Sequence, residues 1–201
     1  MAKALVVLAH PLDKSLCSHF AETALGALIQ AGHDATLLDL AKSGFDPRLS
    51  AGERAGYYSP AADRPAAETG AVSREAALLT AAETLVLVFP VWWSAPPALM
   101  KGFFDRVFAP GIAFDHSKGF GPITPRLTGL RKVIAITTHG GPAWHDWLII
   151  RRPLTRMLKH GLIKPSAPQA SFRQMAFYSA ESPGPERVSG FAARIRAAVS
   201  G

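Results

Sequence analysis

Residues 85–107, LVLVFPVWWSAPPALMKGFFDRV, decide how the rest of the chain is read. The apolar run at residues 85–89 has the length and Leu/Val content of a buried strand, and Pro90 brings it to a stop. Two adjacent tryptophans, Trp92 and Trp93, stand at its tip. Pro96 and Pro97 suit a first helical turn, where a missing N–H does little harm. Leu99, Met100, Phe103, Phe104, Val107 and Phe108 then fall on one broad apolar face of a helix expected over residues 96–108. Lys101 and Asp105, four apart, can pair on the other side. Gly102 costs helix propensity, which implies close packing at that point. The helix reads as structural, with a contribution to dimer contact. In an open α/β sheet, ligands gather at the carboxyl ends of strands, so flat aromatic surface at a strand tip points to a planar ligand. The ordinary place of tryptophan is core or interface packing. Neighbouring strand residues face opposite ways, however, so at least one ring or its backbone is expected at the crevice.

Working outward, short apolar runs alternate with helical patterns. Strands are expected at residues 4–9, 35–40, 85–89 and 132–138, with a weaker one near 170–173. Helices are expected at residues 16–31, with Gly32 as a stop, and at 71–82, 96–108 and 185–199. A further helix at 144–159 is expected to be broken or bent near Pro153. This alternation implies parallel βαβ units. The expected architecture is one α/β domain over residues 1–201. It is a three-layer sandwich with a five-stranded parallel sheet in the flavodoxin-like order 2-1-3-4-5 and helices on both faces. Residues 42–70 form a long stretch rich in Gly, Ala and Pro, expected to cover a site or lie at a subunit interface.

Composition narrows the function classes. A chain of 201 residues with 48% apolar content can bury a substantial core. No apolar run approaches the roughly 20 residues of a membrane span, and the N-terminal run leads straight into His10-Pro11, so it reads as a strand rather than a signal peptide. The single cysteine, Cys17, excludes an internal disulfide and a multi-cysteine zinc site, which favours a cytoplasmic setting. The net charge of +7 is spread without basic runs. It suits a small phosphate-bearing ligand better than nucleic acid, for which no motif is present.

Three loops carry the polar groups. After the first strand, His10-Pro11-Leu12-Asp13-Lys14-Ser15-Leu16-Cys17 runs into a helix N-terminus, a natural phosphate site. Ser15 either caps that helix or donates to a phosphate. Neither GxGxxG nor GxxxxGK[ST] occurs. After the third strand come Pro90, Val91, Trp92, Trp93 and Ser94. After the fourth come Thr137, Thr138, His139, Gly140 and Gly141, followed by Trp144, His145 and Trp147. This third loop offers hydroxyls and exposed backbone N–H groups, or is an ordinary turn. His145 can exchange protons near neutrality. His139 and His145 lack the spacing of a metal motif, and no metal site is expected. In the 2-1-3-4-5 order these three loops converge on one crevice.

The segments AHPLDKSL, FPVWWSAPPALMKGFFDRVF and TTHGG resemble the signatures of the flavodoxin-like NAD(P)H:quinone oxidoreductases. That family includes the DT-diaphorases and the ancillary subunits of potassium-efflux systems. The resemblance covers residues 4 to about 145. It implies an FMN cofactor, with FAD as the alternative, NAD(P)H as co-substrate, a quinone as acceptor, two-electron hydride transfer in a ping-pong sequence, and a homodimer. By position, His10, Ser15, Leu16 and Cys17 would line the flavin phosphate site. Pro90, Val91, Trp92, Trp93 and Ser94 would border the isoalloxazine, and Thr137, Thr138, Gly140 and Gly141 would bond its polar edge. His145 would handle the proton. The chain departs from the family's usual pattern at Leu16-Cys17, at the inserted-looking His139, and where Trp144 or His145 replaces a tyrosine. A flavodoxin-like electron carrier and a flavin-binding regulatory subunit of an ion-efflux system remain alternatives.

Overall fold

The computed structural model describes residues 1–58, 70, 72–117 and 121–201. Five parallel strands form the sheet: β1 (Lys3–Leu8), β2 (Asp34–Asp39), β3 (Thr84–Val91), β4 (Lys132–His139) and β5 (Ser171–Phe177). Their order is β2-β1-β3-β4-β5, as expected. Among the helices around them are α1 (Leu16–Gln30), α2 (Ala51–Ala55), α3 (Ser73–Ala81), α4 (Ala98–Val107), α5 (Pro153–Arg156) and α6 (Pro185–Ser200). α5 runs on through a wider-turned stretch, Met157–Ile163. A two-stranded ribbon, Phe114–Asp115 against Thr124–Pro125, was not foreseen.

The sheet separates two apolar layers by alternation along each strand. Leu5, Val7, Leu85, Leu87, Phe89, Val133 and Ala135 face one side, with Leu79 of α3, Phe103 of α4 and Leu154 of α5. Ala4, Val6, Leu8, Val86, Val88, Ile134 and Ile136 face the other, with Phe20 of α1 and Phe191 and Ile195 of α6. Both faces are dry, which is why these strands read as continuous apolar runs.

β3 does not stop at Pro90. It pairs with β4 as far as Val91, so that Pro90 lies beside Thr138 and Val91 beside His139. The reason is local. β1 ends at Leu8, opposite Val88, and the Val88 carbonyl accepts from Ala9 N–H on the β1 side (3.0 Å). Pro90, two residues on, directs its missing N–H to that same side, where β1 has already turned away, so no ladder bond is lost.

Residues 42–70 are only partly loop. Residues 59–69 of that stretch, and residue 71 of the expected helix 71–82, lie outside the described residues. The remainder forms a strap across α4. Ser50 caps α2 by accepting from Glu53 N–H (2.9 Å), while Glu53 accepts from Ser50 N–H (2.7 Å). The other Glu53 oxygen accepts from the buried Arg106 of α4 (2.8 Å). Arg106 also donates to the Asp46 carbonyl and lies over the Phe45 ring. On α4, Lys101 and Asp105 pair as expected. Gly102 is where the strap meets the helix, and a Cβ there would overlap the backbone of Pro47.

Gly102→Ala should therefore destabilise the protein by about 1–3 kcal/mol through overpacking. In a free helix the same change would stabilise by roughly 1 kcal/mol. A urea titration of the variant reads the sign directly.

Candidate functional site

The turns after β1, β3 and β4 open on a crevice of about 780 Å³ at the carboxyl edge of the sheet. His10, Ser15, Leu16, Cys17, Pro90, Val91, Trp92, Trp93, Ser94, Thr138, Gly140, Gly141 and His145 all line it.

In the first turn, Ser15 caps α1. Its hydroxyl accepts from Ser18 N–H (3.1 Å), and the Ser18 hydroxyl accepts from Ser15 N–H (2.9 Å). No acidic residue occupies the first turn of α1, so the positive end of its dipole is left unneutralised toward the crevice. The His10 ring folds onto its own loop, its Nδ1 accepting from Leu12 N–H (3.1 Å). Cys17 is buried beneath the crevice floor, its Sγ 3.4 Å from Thr138 Oγ1. Burial pushes its thiol up to about 11, against a smaller opposing effect of that hydrogen bond.

In the second turn, Trp92 N–H donates to Ala95 O (3.1 Å) and Ala95 N–H to Trp92 O (3.0 Å). Between them Trp93 and Ser94 take φ of 52° and 62°. Two successive positive φ values make a tight reversing turn of a kind that normally uses Asn and Gly. A tryptophan in that conformation is strained by about 1–3 kcal/mol, a cost that concentrates at functional sites. Neither ring is core. Trp92 is 48% exposed and Trp93 is 101% exposed.

The third turn departs from expectation at Thr137. Its hydroxyl is fully buried, lies 3.0 Å from His139 Nε2 and accepts from Gln174 Nε2 (2.9 Å). Thr137 and Thr138 point to opposite faces of β4, and Thr138 is the one that lines the crevice. Thr137 thus holds His139 rather than lining the crevice. His139 is itself buried and lines the crevice. Burial lowers its imidazole below the ordinary value, the charge of Asp146 pulling the other way.

The expected helix 144–159 is two elements. A wide five-residue turn, His145–Ile149, is followed by Arg151 and Arg152 at φ of 57° and 54°, and α5 begins at Pro153. His145 sits exposed in the wide turn. The next residue, Asp146, is buried and lines the crevice. Its Oδ2 accepts from the Tyr178 hydroxyl at 2.6 Å. Burial and then this bond push the Tyr178 phenol up to about 12. Tyr178, Asp146 and Glu181 line the crevice and were not singled out from sequence. β5 was expected to end near residue 173, whereas it runs to Phe177 and delivers Tyr178 at its tip. Met175 and Phe177, two apart and buried on one face, continue the strand past Arg173 and lead to Tyr178. Among the described residues no cluster of His, Cys, Asp or Glu could hold a metal, and no helix is long and apolar enough to cross a membrane.

A family model described as flavodoxin-like fold matches residues 2–189. The chain is 30% identical over 193 residues to ribosyldihydronicotinamide dehydrogenase [quinone] of Rattus norvegicus, covering 85% of this chain and 81% of that protein. It is 28% identical over 159 residues to NAD(P)H dehydrogenase [quinone] 1 of Cavia porcellus, covering 73% of this chain and 56% of that protein. The chain thus spans about half the length of several of the curated relatives it matches. Among solved structures, an FMN-dependent NADH-azoreductase from Bacillus anthracis in complex with FMN superposes with a TM-score of 0.74. That match covers 100% of this chain and 98% of that one at 18% identity, a likeness of fold.

Cys17, Tyr178 and His139, whose ionisation the fold shifts, shape the pH dependence of stability. Cys17 and Tyr178 ionise earlier in the unfolded chain, at 9.0 and 10.0, than in the fold, at about 11 and 12. The contribution of these two groups is full below pH 9 and is lost as the pH rises through this window. The cysteine alone, about 11 against 9.0, accounts for roughly 3 kcal/mol. His139 takes up a proton earlier in the unfolded chain, so stability also falls below pH 6.5. Urea midpoints across pH should show both limbs, with Cys17→Ala flattening the alkaline one and His139→Gln the acid one.

Proposed function

We propose that this chain, which belongs to the flavodoxin-like family, is an FMN-dependent NAD(P)H:acceptor oxidoreductase whose acceptor is a quinone or a similar planar compound. The observation that carries the reading is the convergence of three βα turns on one crevice. That crevice offers an unneutralised helix N-terminus, a strained turn of two exposed tryptophans and a glycine pair. A phosphate, a flat ring and the polar edge of that ring need these three surroundings. The quinone dehydrogenases and the FMN-dependent azoreductase similar to this chain support the same assignment.

Bound there, a flavin would supply the redox chemistry that joins NAD(P)H oxidation to reduction of the acceptor. The chain's own residues bind and orient. Ser15, Leu16 and Cys17 present the start of α1 to the phosphate, with Lys14 adding charge. The Trp92–Ala95 turn holds its backbone rigidly beside the ring. Thr138, Gly140 and Gly141 offer a hydroxyl and backbone N–H groups to the ring's polar edge, where negative charge develops on reduction. One mouth serves both co-substrates, so they enter in turn, as a ping-pong sequence requires. His145, exposed at that mouth, exchanges the proton with the acceptor.

The purified protein should be yellow, release FMN on denaturation, and oxidise NAD(P)H with a quinone. Chromatography of the released chromophore separates FMN from FAD. A colourless protein that takes up neither flavin on reconstitution refutes the reading. Ser15→Asp keeps a good helix cap but sets a carboxylate against the phosphate, and should weaken FMN binding by at least about tenfold, or ~1.4 kcal/mol. Fluorescence titration of the two proteins measures it.

We also infer that a second copy of the chain closes the mouth. All four tryptophans, Trp92, Trp93, Trp144 and Trp147, are about half exposed or more, and Leu148 and Ile149 beside them are 71% and 61% exposed. Apolar surface of that extent marks an interface. Sedimentation should give a dimer, and Trp93→Glu should give monomers.

A further inference from the structure

The wide turn His145–Ile149 is an unusual wall for a crevice. Its closing bond runs from Ile150 N–H to His145 O (3.1 Å), one residue wider than an α-turn. The extra residue turns Asp146 inward and leaves Trp147, Leu148 and Ile149 facing out. Two consecutive arginines in the left-handed region then end it. Nothing in HDWLIIRR favours this shape over an ordinary helix, so something outside the segment must hold it.

That hold is concentrated on one oxygen. The Tyr178 hydroxyl donates to Asp146 Oδ2 (2.6 Å) and accepts from Trp147 Nε1–H (3.2 Å). It thereby grips two neighbouring residues of the turn whose side chains point different ways. Asp146 is 7% exposed, and Tyr178 is the hydrogen-bond donor recorded for its carboxylate among the described residues. Arg152 completes the arrangement. Its N–H donates to Asp146 O (2.8 Å) and its guanidinium lies 4.4 Å from the centre of the Trp147 ring. Tyr178 is itself fixed. Its ring packs against His139 at 4.7 Å. The two residues after it donate backbone N–H groups to the third turn, Ser179 to Gly141 O (3.1 Å) and Ala180 to His139 O (3.0 Å).

We propose that Tyr178 is a positioning residue that latches the 145–149 turn to the tip of β5, fixing the wall against which the planar co-substrate, nicotinamide or quinone, is seated. The turn and the residue after it contribute His145, Asp146 and Ile150 to the crevice, whereas the surroundings assigned to the flavin come from residues 10–17, 90–94 and 138–141. The latch therefore governs the second ligand and leaves the first alone. The proposal rests on the flavin reading only for the identity of these ligands.

The test is Tyr178→Phe, which keeps the ring and removes the shared oxygen, with Trp147→Phe removing one of its two bonds and Asp146→Asn keeping a carbonyl acceptor for the phenol. In hydrogen exchange, Tyr178→Phe should speed the amides of residues 145–152 by about tenfold or more while α1 and β4 keep their protection. Trp147→Phe should fall between, and Asp146→Asn should stay close to the parent. In the FMN-loaded protein, Tyr178→Phe should raise KM for the acceptor by roughly fivefold or more with kcat held within about twofold and FMN affinity unchanged. Unchanged exchange at 145–152 overturns the latch, and so does protection lost evenly across the fold. A shift in FMN affinity equal to that in KM overturns its assignment to the second ligand. If the parent protein binds no flavin, the flavin reading falls, and the exchange data still decide the latch.

Discussion

A parallel sheet covered by helices on both faces has no room for polar side chains along its length. In β1, β3 and β4 almost every residue is dry, and the two apolar layers alternate strictly through them. Chemistry is therefore expelled to the carboxyl edge, where backbone groups leave the ladder and helix N-termini begin. The functional groups described above lie at the strand tips or on the connections that follow them. The uneven lengths of neighbouring strands give this edge its shape. β3 and β4 continue side by side past the point where β1 stops, and the resulting step is the floor of the crevice.

The elements around that floor are held unequally. The start of α1 is fixed by reciprocal serine bonds and the Trp92–Ala95 turn by a closed pair of backbone bonds. Both are local and short-range. The 145–149 wall instead depends on a side chain more than thirty residues away. Glu53 shows the same economy, both capping α2 and anchoring Arg106. In each case one polar side chain does two structural jobs. Its loss would be felt in two places.

Much of this could be read from the chain before any coordinates. The strand order, the two-sided core and the convergence of the loops followed from apolar runs separated by helical patterns. The close approach at Gly102 followed from a glycine where a helix former was expected. What escaped detection has physical causes. Pro90 looked like a strand end because proline lacks a ladder donor, and only the pairing partners show that no donor was needed there. Thr137 was assigned to the crevice with Thr138 from the likeness of the whole segment, although two neighbouring strand residues face opposite ways and only one can line it. Tyr178 went unnoticed because Arg173 and Gln174 interrupt the apolar pattern of an edge strand and hide its continuation. The wide turn at His145 is set by tertiary bonds, and no local propensity announces it.

Pro90 has one more consequence. A strand edge with free donors invites its neighbour to keep pairing, and a chain that could zip two residues further would fill the step between β1 and β3. With no N–H to offer at that position, β3 gives β1 no reason to continue. The segment joining β1 to α1 is thereby released from the register of the sheet. It can lengthen, shorten or exchange residues without shifting any strand, so the end of the crevice built by residues 10–17 is free to diverge while the scaffold beneath it stays fixed.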